Sequence, residues 1–170
     1  WLSFLDRTNV TVIGLTALFN LYTRSAGVAY FTVGAVGCSL SVKVIKKFVR
    51  QPRPPPLVHV AGRKKRVKVT YGMPSTHSAS ISYFMTYIAL ACLYLPTHPS
   101  LFPAGNLIRV LLPLITLPWG VTIMMSRVWL GHHTWPQVFA GASYGAFVAL
   151  AWFSLWTKWG LNEVGGELER

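Results

Sequence analysis

Five apolar stretches alternate with polar islands along the chain: Thr8 to Tyr22, Ala26 to Val42, Ser78 to Leu95, Leu107 to Met125 and Val138 to Trp156. A helix of about 20 apolar residues crosses the hydrocarbon core of a bilayer, so each stretch reads as a membrane span. The first is the weakest, being short, bounded by Arg7 and Arg24, and interrupted by Asn9 and Asn20. Pro113 and Pro118 should kink the fourth. Trp152, Trp156 and Trp159, near the end of the fifth, read as interfacial anchors. The expected fold is all-α, a polytopic transmembrane helical bundle of about five spans (8–22, 26–42, 78–95, 107–125, 138–156). Residues 1–160 form one membrane-embedded domain and 161–170 a polar tail. A soluble helical bundle is the alternative, and the near absence of charge across the five segments argues against it.

Composition strengthens this picture. Of 170 residues 52% are hydrophobic and only 12% charged, about half the charged fraction of an ordinary soluble domain. The chain begins at Trp1 rather than Met, as expected of a fragment or trimmed domain, so targeting stays open. Cys38 and Cys92 lie inside apolar segments without CxxC spacing and read as small buried hydrophobes.

The net charge of +12 is unevenly placed. No carboxylate occurs from Arg7 to Asn162, while ten of the sixteen Lys and Arg fall between Lys43 and Lys68. Such a block attracts nucleic acid, anionic headgroups or a phosphorylated substrate. In a membrane-embedded chain a lipid phosphate or diphosphate is the expected partner, and nucleic acid is not.

Three polar islands carry the candidate chemistry: Lys46 to Pro54, Tyr71 to Ser78, and Ser126 to Gln137. With five spans, the loops after the second and the fourth fall on the same side of the membrane, so the islands can meet at one face. The missing carboxylates weigh against Mg²⁺ or Ca²⁺ sites, an aspartyl-phosphate and a two-metal phosphatase. A histidine zinc site (His59, His77, His132, His133) is disfavoured by the surrounding cations, and no metal or other cofactor is expected. What remains is anion binding with histidine chemistry. Arg53 and Arg127 can fork onto phosphate oxygens, and Lys46 adds a point charge. Pro74-Ser75-Thr76-His77 reads as a turn entering a helix whose N-terminus suits a phosphate, with the Ser75 hydroxyl available. Two histidines on opposite sides of one phosphorus would allow in-line displacement, one attacking and one protonating the leaving oxygen. Gln137, four residues after His133, shares its face in a helix and could hold its ring.

Each island also has a plain reading: a wetting histidine, a topological arginine, a stiff proline linker. Their convergence on one face, with no acids to neutralise them, favours the functional one.

Lys46, six residues, then Arg53-Pro54; Pro74-Ser75-Thr76-His77; and Ser126-Arg127, five residues, then His133 resemble the three signatures of the type 2 phosphatidic acid phosphatase and vanadium haloperoxidase superfamily. The resemblance implies a metal-independent phosphatase on a helical bundle. It assigns His133 as the nucleophile that forms a phosphohistidine and His77 as the general acid. Lys46, Arg53 and Arg127 would bind phosphate, joined by Ser75 and the backbone at Thr76.

The sequence departs from the commonest pattern twice, with Thr76 in place of Gly and Gln137 in place of an orienting Asp. Tyr71-Gly-Met-Pro-Ser75 and His133-Thr-Trp-Pro-Gln-Val138 resemble the dolichyl diphosphate phosphatase branch, in which Gln is usual at that place. That branch implies conversion of dolichyl diphosphate to the monophosphate in the endoplasmic reticulum membrane, recycling the lipid carrier of N-glycosylation. Sphingoid base phosphate phosphatases share the Tyr-Gly-Met-Pro-Ser-Thr-His run and are the nearest rival. Phosphatidic acid is another candidate substrate, and a catalytically weak lipid-binding protein a further alternative. The positive-inside rule puts the motif face in the cytoplasm, whereas the branch implies a luminal site. Because several of those charges are candidate substrate ligands, the luminal reading is preferred.

Overall fold

The computed structural model describes residues 8–55, 70–96 and 105–161. Among them are five helices and no strand: α1 (Thr8–Thr23), α2 (Ala26–Val49), α3 (Thr76–Tyr94), α4 (Gly105–Trp129) and α5 (Trp135–Lys158). They correspond one to one with the five apolar segments. The basic run Arg63 to Lys68, His59 and the acidic tail lie outside the described residues.

The helices outrun the hydrophobicity. The sequence places Lys43, Lys46 and Lys47 in a loop, yet all three lie on α2, which ends only where Arg50 takes a left-handed conformation (φ 51°) and its N–H bonds the Lys46 carbonyl. A charge ends an apolar run but not a helix, since lysine is a good helix former whose stem lies along apolar surface. At 1.5 Å per residue, the 24 residues of α2 span about 36 Å, more than the roughly 30 Å hydrocarbon core. Its basic last turns therefore stand at the membrane edge. Ser126 and Arg127 likewise belong to the final turn of α4, and Pro113 and Pro118 lie within that helix.

Three helices are long and apolar enough to cross a membrane: Ala26–Val49, Asn106–Trp129 and Trp135–Lys158. Helix α3 is more polar because it occupies the middle, packed against α2, α4 and α5. Its Ser78, Ser82, Tyr83 and Tyr87 are buried in protein, where intramembrane polar groups find partners. The Tyr83 hydroxyl donates to the Phe31 carbonyl (3.1 Å).

Helices α3 and α5 meet at backbone distance. A Cβ on Gly141 would lie 2.5 Å from the Ser75 carbonyl oxygen, and one on Gly145 2.0 Å from that of Ala79. The glycines and the carbonyls they face are each four residues apart, so one stripe of each helix forms the contact. Beyond it Cys38, Val42, Ala79, Tyr83, Tyr87, Ala149 and Phe153 form the core. Both cysteines are free, Cys38 buried and Cys92 half-buried.

Two of the expected interfacial tryptophans point inward. Trp152 Nε1 donates to the Tyr30 carbonyl, the Tyr30 hydroxyl donates to the Trp152 carbonyl (both 3.0 Å), and Tyr30 packs on the rings of Trp152 and Trp156. Their spacing after Gly145 and Ala149 carries them onto the face of α5 that packs on α2. Trp159, 77% exposed, remains outside.

Candidate active site

The ends of α2 and α4 and the starts of α3 and α5 converge on one face. A cavity of about 1010 Å³ opens there, and Lys46, Arg53, Thr76, His77, Arg127 and His133 all line it. Residues from all three islands, up to 87 positions apart, thus share one chamber. Further from the histidines its wall becomes apolar, with Ala35, Val36 and Leu40 of α2 and Ile81 and Phe84 of α3.

Local geometry explains how each side chain arrives. Gly131 takes a positive φ (65°) after α4, a backbone conformation glycine adopts without penalty. The returning chain ties the N–H groups of His132 and His133 to the Arg127 carbonyl (3.0 and 3.2 Å). Thr134 and Gln137 then form a capping box that starts α5, with Pro136 in its first turn. On α3, the Ser75 N–H donates to the Gln137 carbonyl (3.0 Å), joining the second island to the third.

His133 is 4% exposed and held on both sides. Arg53 Nη1 lies 3.2 Å from its Nε2, and Gln137 Oε1 lies 3.2 Å from its Nδ1. A guanidinium only donates, so Nε2 is the acceptor and carries the lone pair, and Nδ1–H donates to Gln137. The amide of Gln137 is itself fixed. Its nitrogen donates to Gln51 Oε1 (3.1 Å) and to the Pro52 carbonyl (2.9 Å), and its oxygen also accepts from the Thr134 N–H (3.3 Å). All four hydrogen-bonding capacities are met. A carboxylate here would turn an acceptor toward the Pro52 carbonyl, so the pocket is built for an amide.

Burial pushes the His133 pKa down from 6.5 to about 3, and the nearby Arg53 and Lys46 charges push the same way. Hydrogen bonds to Gln137 and to the Gly72 backbone oppose the shift and are outweighed. At neutral pH the ring is therefore the free base, with its lone pair on Nε2.

Arg53 is clamped by partners of its own. Its Nε donates to the Thr70 carbonyl (2.9 Å), its Nη2 to Thr70 Oγ1 (3.0 Å), and its Nη1 to the His132 carbonyl (3.0 Å). Lys46 and Arg127 are buried, at 8% and 1% exposure. Arg127 Nε and Nη2 donate to Ser126 Oγ (3.2 and 2.9 Å), and the sequence offers these cations no carboxylate from residue 7 to 162. The chamber is therefore lined by cations, Lys43, Lys46, Lys47, Arg53 and Arg127, and by no carboxylate. The described residues hold no group of three His, Cys, Asp or Glu placed to bind a metal ion.

The structure brings Lys46, Arg53, Thr76, His77, Arg127 and His133 to one chamber, with Gln137 directly behind His133. Ser75 is different. It is fully buried, and its hydroxyl caps α3, accepting from the Ser78 N–H (3.4 Å) and the Ser78 hydroxyl (2.9 Å). Gln51, Thr70 and Gly72, which sequence reasoning missed, contact the side chains of Gln137 and Arg53. Gly72 N–H donates to the Gln51 carbonyl (2.7 Å), and a Cβ there would fall 2.5 Å from Gln137 Nε2. The one signal was the position of Gly72 inside the Tyr-Gly-Met-Pro-Ser run.

The PAP2 superfamily pattern matches residues 22–161. The chain is 33% identical over 151 residues to dolichyldiphosphatase 1 of Rhinolophus ferrumequinum, an alignment covering 85% of this chain and 59% of the relative. It is 38% identical over 116 residues to dolichyldiphosphatase 1 of Mus musculus, covering 65% of this chain and 44% of the relative. The chain thus spans about half the length of these curated relatives. In fold it is similar to a transmembrane PAP2-type phosphatidylglycerolphosphate phosphatase of Bacillus subtilis (TM-score 0.71, 20% identity, covering 92% of this chain and 75% of that one). With the pattern covering most of the chain and its three signatures meeting in one chamber, the chain belongs to the PAP2 superfamily.

Proposed function

We propose that the chain is a metal-independent membrane lipid phosphatase that hydrolyses a polyprenyl diphosphate of the dolichyl type to the monophosphate. The observation that carries this reading is the state of His133: neutral, buried, and held between Arg53 and Gln137 with its lone pair turned to a cationic chamber. The resemblance of the Gln137 region to dolichyldiphosphatases supports the choice of substrate.

The chemistry balances with the side chains at hand. Arg53, Lys46 and Arg127 bind the terminal phosphoryl group, and the Thr76 N–H at the start of α3 adds a donor. His133 Nε2 attacks phosphorus as the bond to the bridging oxygen breaks, and His77 gives its proton to that oxygen. The lipid leaves as its monophosphate. The phosphorylated ring is cationic and keeps its Nδ1–H on Gln137 Oε1. Water then attacks phosphorus and passes a proton to His77, which restores both histidines and frees phosphate. The reading places the chain in the endoplasmic reticulum membrane, with the site facing the lumen and serving the lipid carrier of N-glycosylation.

A second reading, a sphingoid base phosphate phosphatase, is favoured by Thr76 alone. The deciding assay is phosphate release in detergent with EDTA from dolichyl diphosphate, phosphatidic acid and sphingosine phosphate. The expected result is release from dolichyl diphosphate that withstands EDTA and disappears in His133→Ala. Preference for sphingosine phosphate would move the substrate and keep the site. Loss of activity with EDTA would overturn the mechanism.

A further inference from the structure

Two cationic side chains on the cavity wall have no part in this chemistry. Lys43 and Lys47 line the same chamber as His133, and neither belongs to the motifs that hold the transferred phosphoryl group. They are four residues apart on α2, so they share an exposed helix face, with the buried Lys46 three residues on from Lys43. No carboxylate exists from residue 7 to 162 to pair with them. We propose that Lys43, flanked by Lys47, forms a second anion subsite holding the phosphate that stays on the lipid. The proposal rests on reading the chamber as a diphosphate hydrolase site, and it names what would distinguish a diphosphate from a monophosphate there.

The order of residues along α2 carries the argument. Read from the chemical end inward, the cavity-lining positions are Lys47, Lys46, Lys43, Leu40, Ser39, Val36, Ala35 and Thr32. The cations occupy the first turn and a half, and small or apolar residues follow. In-line attack requires the bond that breaks to point away from His133. The leaving oxygen therefore faces His77 and the deeper chamber, and the retained phosphate lies between the reacting phosphorus and the apolar wall. Lys43 sits about 4.5 Å further along the helix axis than Lys46, at the last cationic level before Leu40. Phosphoryl group, retained phosphate and lipid chain thus map in sequence onto Lys46, Lys43 and the apolar turns of α2. A flexible ammonium on a long stem suits a phosphate whose charge rises as the bridging bond breaks.

The test compares farnesyl diphosphate with farnesyl phosphate, which differ only in the second phosphate, by phosphate release in detergent. The readout is the ratio of the two kcat/KM values. Lys43→Gln should lower the diphosphate-to-monophosphate ratio about tenfold, the loss of one charge-assisted contact, and Lys43→Gln with Lys47→Gln further. Arg50→Gln removes an exposed charge whose Nε bonds the Lys47 carbonyl and which does not line the cavity; it should leave the ratio unchanged. An unchanged ratio in the double variant overturns the subsite, whether both rates fall together or neither moves. A fall in Arg50→Gln as large as in Lys43→Gln also overturns it, because the effect would then be the general field of the basic face. A wild-type protein that cleaves farnesyl phosphate but not the diphosphate overturns the underlying diphosphate reading instead, so the two failures are separable.

Discussion

The two sides of the chamber are built on opposite plans. Behind His133, Gln137, Gln51, Pro52, Thr134 and Gly72 form a closed network in which the Gln137 amide has a partner for every hydrogen-bonding capacity. Elsewhere on the chamber, His77, Lys43 and Lys47 line the cavity, with the lysines exposed and the histidine half-buried. The closed side fixes one proton on one nitrogen by geometry. In the proposed mechanism the open side holds the groups that change protonation or partner as a phosphate passes. A nucleophile gains from rigidity, whereas a proton donor and a leaving-group site need access to solvent and product.

That contrast orders the expected effects. His133→Ala, which removes the attacking atom, should cut turnover on the order of 10⁴-fold or more and leave no acid-labile phosphoenzyme to trap with labelled substrate. His77→Ala, on the open side, should cost about 10²–10⁴-fold in steady state. It should cost much less with a substrate whose leaving group needs no proton, such as para-nitrophenyl phosphate; equal losses on both substrates would show that His77 is not the acid.

Gln137→Ala should lower kcat by roughly 10²-fold, because an amide orients the ring without stabilising an imidazolium. It should also cost about 1–3 kcal/mol of stability through the partners it strands, readable as a lower melting temperature in detergent. Gln137→Glu sharpens the comparison differently. A carboxylate against Nδ1 favours the protonated ring, so the His133 pKa should rise from about 3. The acid limb of the kcat/KM profile would then move to higher pH. An unmoved limb would mean that Gln137 does not act through this imidazole.

The last effect is on the pH dependence of stability and leaves activity at neutral pH aside. The folded ring titrates near 3 against 6.5 for the ordinary group. Between those values the unfolded chain binds a proton that the folded chain does not, so stability should fall as pH drops through that window. His133→Gln removes the proton site and should flatten this dependence, as followed by thermal melting at a series of pH values.

Much of this was legible in the sequence for a simple reason. Membrane helices announce themselves by composition, and a chain with no carboxylate from residue 7 to 162 and three basic or histidine-bearing islands leaves few chemistries open. The errors have physical causes too. Hydropathy marks the edge of the membrane rather than the end of a helix, so Lys43, Lys46 and Lys47 were placed in a loop although they stand on α2. Tryptophan is at home both at an interface and in a packed seam, and only the face of α5 decides between them for Trp152 and Trp156. Gln51 and Thr70 stayed hidden because a hydrogen-bond partner 86 or 17 residues away leaves no trace in local spacing. Ser75 reads from sequence as a phosphate ligand, and its hydroxyl also accepts from Ser78 in the first turn of α3, a capping role the motif alone does not reveal.

The glycine stripe between α3 and α5 has a mechanical consequence. With Gly141 against the Ser75 carbonyl, Gly145 against that of Ala79, and the Ser75 N–H on the Gln137 carbonyl, the two helix starts are bolted into one plate. The spacing between His77 on one helix and His133 beside the other, the proposed acid and nucleophile, is thereby set once. On the proposed function, α1 and the apolar turns of α2, which line the rest of the chamber, can vary to fit different lipids while that spacing stays the same.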